Sequence, residues 1–122
     1  MPGMTDVHVH LTSDSGKPWY EGYTQKYSNA YSVTRGLVHG LEMARAGFTT
    51  VRDLGGDTSA VIAVRDAFKE GAFPGPRLLV SGAPLSIVGG HADPATGLPP
   101  QLFSVVENDP DNYTVCTGVL QC

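Results

Sequence analysis

The stretch that decides the fold is residues 4–11, MTDVHVHL, in which side chains of two kinds alternate. Successive side chains of a β-strand point to opposite faces, so this alternation predicts a strand with one mainly apolar face and one polar face. The polar face collects three titratable side chains, those of Asp6, His8 and His10. A strand that presents an acid and two imidazoles on one side is a candidate for a functional site.

The sequence after this strand predicts two helices and two further strands. Apolar residues recur with helical spacing over 32–46 and again near 58–70. β-Branched and aromatic residues fill 48–53, and an apolar run covers 77–82. With the first strand near 4–11, the order is β-α-β-α-β, which implies parallel strands joined by right-handed crossovers. The predicted fold class is therefore α/β.

Local signals predict where the helices begin and end. Ser32 is the expected N-cap of the first helix, and Gly47 stands where a residue in the left-handed conformation would end it. Asp57 is one of three candidate N-caps for the second helix, and Gly71 is its expected stop. Residues 118–122 resemble the start of a third helix.

Two long segments have the composition of loops. Residues 12–31 are polar, contain Trp19 and four tyrosines, and are too irregular for a helix. Their aromatic side chains either form a lid over a substrate or pack the loop against the rest of the fold. A second loop, rich in Gly and Pro, follows the third strand, contains His91 and Asp93, and extends to about residue 115.

Side chains capable of chemistry collect at one edge of the predicted sheet. His8 and His10 lie near the end of the first strand. Asp53 lies at the end of the second strand, and His91 lies in the loop after the third. In sheets of parallel strands, ligands bind beyond the carboxyl ends of the strands. The sequence therefore predicts a functional site at this edge.

The spacing of His8 and His10 is suited to a metal ion. Side chains two residues apart on a strand share a face, with Cβ atoms about 6.5–7 Å apart. Both imidazoles can then reach one cation, with ligand bonds of about 2.0–2.1 Å for zinc. The alternative is a pair of half-exposed imidazoles hydrogen-bonded to solvent or to carbonyls. Asp6 either accepts the outward N–H of a ligating imidazole or anchors the strand end.

Residues 2–11, PGMTDVHVHL, resemble the P-G-[hydrophobic]-x-D-x-H-x-H signature of the amidohydrolase superfamily of metal-dependent hydrolases. Residues 46–55, AGFTTVRDLG, resemble its second strand, and 75–91, with GPRL, SG and GGH, resemble its third strand and loop. The resemblance points to the branch of imidazolonepropionases and prolidase-like carboxypeptidases, which cleave C–N bonds. It implies that residues 1–122 form a partial TIM (β/α)8 barrel, about the first two and a half βα units.

The resemblance also implies roles for individual residues. His8 and His10 would bind one ion of a mononuclear or binuclear centre, usually zinc, whose other ligands come from later strands. His91 would stabilise an oxyanion or bind a substrate carboxylate, against the alternative of stabilising its loop. Asp53 is a candidate catalytic carboxylate, with a turn cap or an ion-pair partner as the alternative. His39, inside the first helix, receives no role.

Three interpretations of function are open. In the first, the chain is the N-proximal part of a hydrolase that cleaves amide, peptide-like or cyclic amide C–N bonds of a small molecule. It would be inactive alone, because two histidines hold a cation weakly. In the second, it is a non-catalytic truncated product that forms a homo-oligomer, or completes a barrel with a partner chain, through the edge of its third strand. In the third, it folds poorly alone because half a barrel leaves apolar faces uncovered.

Composition narrows the class of protein. The chain has 122 residues, 41% of them hydrophobic, and a formal net charge of −4, which indicates one globular domain and argues against nucleic-acid binding. No stretch has the pattern of a signal peptide or a membrane span, so we expect neither. Cys116 and Cys122 are too few for a disulfide scaffold and indicate a reducing compartment, so the predicted location is the cytoplasm.

Overall fold

The computed structural model describes residues 2–13, 16, 28–107, 114–120 and 122. Its elements alternate between strand and helix, and the predicted α/β class is confirmed. In chain order they are β1 (Met4–Val9), α1 (Asn29–Arg45), β2 (Phe48–Asp53), α2 (Thr58–Lys69), β3 (Arg77–Val80), a 3-10 turn (Pro100–Leu102) and α3 (Phe103–Glu107). β2 has the bounds that the sequence predicts, whereas β1 and β3 each end two residues before the predicted end.

β2 lies between β1 and β3, and both strand pairings are parallel. α1 and α2 pack against each other, α1 also contacts β2, and α2 also contacts β3. The core between the sheet and these helices is formed by Leu11, Val51, Val61, Val64 and Leu78. This arrangement is that of consecutive βα units in a partial TIM barrel.

The sheet face opposite the helices is open in the part of the chain that the structure describes. Val51 and Leu78 are buried against the helices, whereas their neighbours Arg52 and Leu79 are exposed. Successive side chains of a strand point to opposite faces, so Arg52 and Leu79 belong to the open face. In a complete barrel the helices form the outer layer, and this open face would line the interior.

A register irregularity interrupts β1. Asp6 pairs with Val51 and Val9 pairs with Asp53, so three steps along β1 match two steps along β2. A β-bulge of this kind adds one residue to a strand and changes the direction of the side chains near it. The strict alternation predicted for this strand is therefore wrong: Asp6 and Val9, three residues apart, are partly buried, whereas Val7 is exposed.

The helix ends follow from capping hydrogen bonds. α1 begins three residues before the predicted start because the Ser28 hydroxyl accepts a backbone N–H of the first turn at 3.3 Å. The predicted cap, Ser32, lies inside the helix. Gly47 follows α1 with a φ of 97°, as predicted for the residue that ends it. Asp57 caps α2, because its carboxylate accepts a first-turn N–H at 2.9 Å.

The segment after β3 differs from the sequence-based expectation. The predicted loop contains the 3-10 turn and α3, which the Gly and Pro content concealed. Residues 118–120, where a third helix is expected to begin, form a turn in which Val119 and Leu120 are exposed. The expectation of a helix start there is wrong for these described residues.

Cys116 and Cys122 are joined by a disulfide bond. The sequence indicates a reducing compartment, in which such bonds are rare. The disulfide does not agree with that indication, and the cytoplasmic location stays a prediction. Among the residues that the structure describes, no helix is both long enough and apolar enough to cross a membrane.

Most of the aromatic loop predicted over 12–31, including Trp19, lies outside the described residues. The choice between a lid and a packed loop therefore stays open. Tyr31 is described and belongs to α1.

Candidate metal-binding site

The carboxyl ends of the three strands lie side by side. The backbone N–H of Leu54 donates to the carbonyl of Val9 at 3.1 Å, and that of Ser81 donates to the carbonyl of Asp53 at 3.1 Å. His10, one residue beyond β1, therefore lies at the same edge of the sheet as the last residue of β2.

His8 and His10, the histidine pair, lie next to each other at this edge. Their ring centres are 5.3 Å apart and their ring planes are inclined by 74°. Two imidazoles that bind one tetrahedral cation through nitrogen, at about 2.0–2.1 Å each, have ring centres about 5 Å apart. Both side chains are exposed, so a cation can reach them from solvent. The separation of the rings therefore fits two imidazole ligands of one metal ion.

The hydrogen bond of the His10 ring fixes which nitrogen is available to a metal. His10 Nδ1 lies 2.7 Å from the carbonyl oxygen of Gly55. A carbonyl only accepts, so Nδ1 carries the proton, and the lone pair of a neutral ring is then on Nε2. Metal-bound histidines usually donate their other ring N–H to a carbonyl or a carboxylate. His10 therefore has the hydrogen bond of a metal ligand.

Gly55 orients the carbonyl that His10 contacts. Its φ is 148°, in a region that residues with a side chain rarely adopt. A Cβ atom at this position would also lie 3.2 Å from Cδ of Pro84, in the loop after β3. The turn after β2 therefore requires glycine, and its shape aims the carbonyl oxygen at His10.

Asp53 is buried, with 1% of its surface exposed. Its Oδ2 accepts the N–H of Leu11 at 2.7 Å, and its Oδ1 accepts the N–H of Gly55 at 3.0 Å. Burial raises the pKa of Asp53 above its ordinary value, although the two N–H donors and nearby His10 act in the opposite direction. These contacts are those of the turn cap in the alternative interpretation; the catalytic role stays a prediction.

The bulge in β1 is held by side chains. Asp6 Oδ1 accepts the backbone N–H of His8 at 3.0 Å, so Asp6 anchors the strand, the second of its two predicted roles. Arg52 Nε donates to the carbonyl of Val7 at 2.9 Å. These bonds satisfy backbone groups that the register irregularity takes out of the regular ladder. The contribution of Arg52 cannot be read from the sequence, because it depends on the bulge.

His91 is exposed in the loop after β3. This loop is organised by Asp93, which is 5% exposed and accepts the N–H groups of Gly89 at 2.7 Å and Ala95 at 2.9 Å. Among the residues that the structure describes, no three or more His, Cys, Asp or Glu side chains are arranged to hold a metal ion. His91 therefore does not join the histidine pair as a third ligand, and its role at the site stays a prediction.

His39, which received no role from the sequence, contacts the end of β1. Its Nδ1 lies 2.7 Å from the carbonyl oxygen of Leu11, and its Nε2 lies 2.9 Å from Nη2 of Arg35. His39 and His10 line one cavity of about 370 Å³ between α1 and the end of β1. Residues four apart on a helix are neighbours, so the pairing of Arg35 with His39 was a signal available in the sequence.

Comparison with known proteins defines the class. The family profile described as "Amidohydrolase family" matches residues 1–113. The chain belongs to the amidohydrolase family. Ochratoxinase of Aspergillus niger is 34% identical over 98 residues, which are 76% of this chain and 19% of ochratoxinase. The chain thus spans about a fifth of the length of this relative.

Solved structures show the same similarity. The crystal structure of A. niger ochratoxinase superposes with a TM-score of 0.73 at 29% identity, covering 99% of this chain and 29% of that protein. A Xaa-Pro dipeptidase with methionine bound in its active site gives 0.72 at 28% identity, covering 98% and 28%. A prolidase complexed with N-methylphosphonate-L-proline gives 0.65 at 31% identity, covering 97% and 28%. The predicted partial barrel agrees with these neighbours.

Proposed function

We propose that this chain forms the metal-binding, N-proximal part of a hydrolase that cleaves an amide or peptide-like C–N bond of a small molecule. The observation that carries the proposal is the histidine pair, with ring centres 5.3 Å apart and with Nδ1–H of His10 donating to the Gly55 carbonyl. The family, and the structural similarity to a dipeptidase and a prolidase, support the class of substrate. The proposed cation is zinc.

The chain would hold the cation through the histidine pair, with Nε2 of His10 as one donor atom. A bound divalent cation supplies two effects: it lowers the pKa of a water molecule and polarises a carbonyl oxygen. Catalytic zinc sites use three protein ligands and an open position, so two imidazoles alone bind weakly. For this reason we propose that the 122-residue chain is inactive alone.

The other candidate residues have different places in this proposal. His91 would donate a hydrogen bond to the oxyanion, or would bind the carboxylate of a dipeptide-like substrate. Asp53 is the weaker of the two candidates, since both of its oxygens accept backbone N–H groups on the buried side of β2. Asp53 would then affect the reaction by holding the histidine pair in position.

Metal titration of the 122-residue chain tests the first part of the proposal. Cobalt(II) is a suitable probe, because its visible absorption reports nitrogen ligation at a zinc site. We expect weak binding of one ion that is lost in His8→Ala and His10→Ala and retained in His91→Ala. Equal binding by the wild type and a His8→Ala/His10→Ala double variant would contradict the ligand assignment.

Hydrolysis must be tested with the polypeptide as it occurs in its source. An antibody raised against residues 12–31 would capture it, and its intact mass would be compared with 12.9 kDa. A captured polypeptide several times heavier is expected to hydrolyse N-acyl amino acids or dipeptides ending in proline, and chelation should abolish this activity. A heavier polypeptide that is inactive on such a panel and unaffected by metal would contradict the proposed function.

A second candidate function is assembly without catalysis. Among the described elements, β1 and β3 each have a strand partner on one side only, and Leu79 of the open sheet face is exposed. Such an edge is a template for pairing with another chain. If the native mass is near 12.9 kDa, we expect an oligomer or a hetero-complex on gel filtration. A folded monomer of that mass would contradict this candidate.

A further inference from the structure

A continuous series of hydrogen bonds leads from α1 to the ring of His10. His39 Nδ1 lies 2.7 Å from the carbonyl oxygen of Leu11, and the N–H of Leu11 lies 2.7 Å from Asp53 Oδ2. Asp53 Oδ1 accepts the N–H of Gly55 at 3.0 Å, and the Gly55 carbonyl lies 2.7 Å from His10 Nδ1. We call these five residues the clamp.

The direction of each bond follows from the chemistry of its groups. Arg35 Nη2 only donates, so Nε2 of His39, 2.9 Å away, accepts. The proton of a neutral His39 ring is then on Nδ1, which donates to the carbonyl of Leu11. At the other end, the Gly55 carbonyl only accepts, so His10 Nδ1 donates to it. Arg35 and Gly55 thus set the tautomers of the two histidines.

The clamp holds His10 from two sides. The backbone after His10 is fixed at Leu11, whose N–H bonds to Asp53 and whose carbonyl bonds to His39. The ring of His10 is fixed through Gly55, whose N–H bonds to the second oxygen of Asp53. One buried carboxylate therefore links the anchor of the backbone to the anchor of the ring. His39 is the only side chain of the clamp that comes from a helix.

We propose that His39 is a positioning residue for the metal ligand His10, acting through the backbone of Leu11. This inference rests on the proposed function, in which His10 binds a cation. Removing the His39 donor leaves the Leu11 carbonyl without that partner and releases one of the two anchors of the backbone after His10. A group hydrogen-bonded to a metal ligand itself is typically worth about 10–100-fold in metal affinity, and His39 acts one residue further away, so we expect an effect at the lower end of this range.

Three substitutions at one position separate positioning from folding. His39→Asn places an amide N–H near the position of Nδ1, so it keeps a donor for the Leu11 carbonyl. His39→Gln places its amide N–H near the position of Nε2, so it keeps polarity and loses this donor. His39→Leu removes both. Thr34→Leu is the matched control on α1, because the Thr34 side chain is exposed and its hydroxyl bonds within the helix, to the Ala30 carbonyl at 2.9 Å.

The readouts are cobalt(II) affinity and the ring nitrogen resonances of His10 in the metal-free, 15N-labelled chain. In the wild type, His39→Asn and Thr34→Leu, we expect the Nδ1–H tautomer of His10 and equal affinity. In His39→Gln and His39→Leu we expect mixed tautomers and an affinity lower by about tenfold. Circular dichroism and urea titration identify any variant that does not fold; the Asn and Gln variants then carry the comparison.

Two results would overturn the inference. One is a His10 tautomer and a cobalt affinity in folded His39→Gln that equal those of the wild type. The other is equal weakening in the Asn and Gln variants, which would show that His39 acts by packing. A wild-type chain that binds no cobalt would contradict the proposed function instead. The metal-free resonances would still decide whether His39 positions His10.

Discussion

Gly40 of α1 lies directly against the ring of Phe68 of α2, at a distance that leaves no room for a side chain. A Cβ atom on Gly40 would lie 2.3 Å from Cζ of Phe68. One turn earlier, a Cβ atom on Gly36 would lie 2.6 Å from Cγ2 of Val64. Both glycines are buried. The two contacts lie four residues apart on each helix. The two glycines therefore set how closely the two helices approach.

We predict that Gly36→Ala destabilises the fold, although alanine is the better helix former by about 1 kcal/mol. Val64 is fully buried and cannot withdraw from the added methyl group, and overpacking of this kind costs about 1–3 kcal/mol. Urea titration should show a net loss of free energy of unfolding. Thr34→Ala, at an exposed position of the same helix, is the control and should not lose stability. An increase in stability for Gly36→Ala would contradict the close contact.

We predict that Asp53→Asn destabilises the protein by about 1–3 kcal/mol, the usual cost of an unsatisfied buried polar group. An amide has one accepting oxygen, so it can serve Leu11 or Gly55 but must direct an N–H group at the other. The measurement is urea unfolding near neutral pH, with Asp66→Asn, a half-exposed acid beside Arg65, as the control. Wild-type stability in Asp53→Asn would show that the two N–H groups do not need the carboxylate.

The raised pKa of Asp53 also predicts that the stability of the fold depends on pH. Burial raises the pKa of its carboxyl above the ordinary value, so the folded state binds this proton more tightly than the unfolded state. The stabilisation linked to this proton is therefore complete below the unfolded pKa and is lost as the pH rises through the folded pKa. The difference in free energy of unfolding between the wild type and Asp53→Asn should be larger near pH 4 than near pH 7. An equal difference at both values would contradict the raised pKa.

For the histidine pair, we predict that His8→Ala or His10→Ala abolishes metal binding in a full-length relative and leaves the fold largely intact. Both rings are exposed, so their removal creates no cavity in the core. Metal content per protein molecule and circular dichroism are the two measurements. Stoichiometric metal in the double variant would remove both residues from the proposed site.

His91→Ala is predicted to lower turnover in the full-length enzyme and to leave its metal content unchanged. The described residues do not gather His91 with the histidine pair into a ligand group, and its loop is held by Asp93 rather than by His91 itself. Kinetic constants and metal analysis on the same preparation test this. An unchanged rate would exclude His91 from the reaction, and a loss of metal would make it a ligand.

The sequence predicted those features that depend on local patterns. The apolar repeat of α2, its Asp57 cap and the β-branched run of β2 are each encoded within a few neighbouring residues. The order of these elements was then enough to place His10 and Asp53 at one edge of the sheet. The family was recognisable because its signature stretches, 2–11, 46–55 and 75–91, are continuous in the sequence.

Features that depend on contacts between distant segments could not be predicted in this way. The bulge in β1 reflects bonds to Arg52, which is 45 residues from its partner Val7. Gly36 and Gly40 look unfavourable in a helix until Val64 and Phe68 are placed beside them. The contact of His39 with the Leu11 carbonyl is likewise invisible in the sequence, because α1 must first pack beside the end of β1.

The two N–H bonds to Asp53 have a dynamic consequence. The amide hydrogens of Leu11 and Gly55 are 44 positions apart in the chain but share one carboxylate, so a single displacement of that group exposes both to solvent. Their exchange with deuterated water should therefore be slow and should proceed at matched rates, even though the adjacent ring of His10 is open to solvent. The strand ends around the proposed site would thus open and close as one cooperative unit.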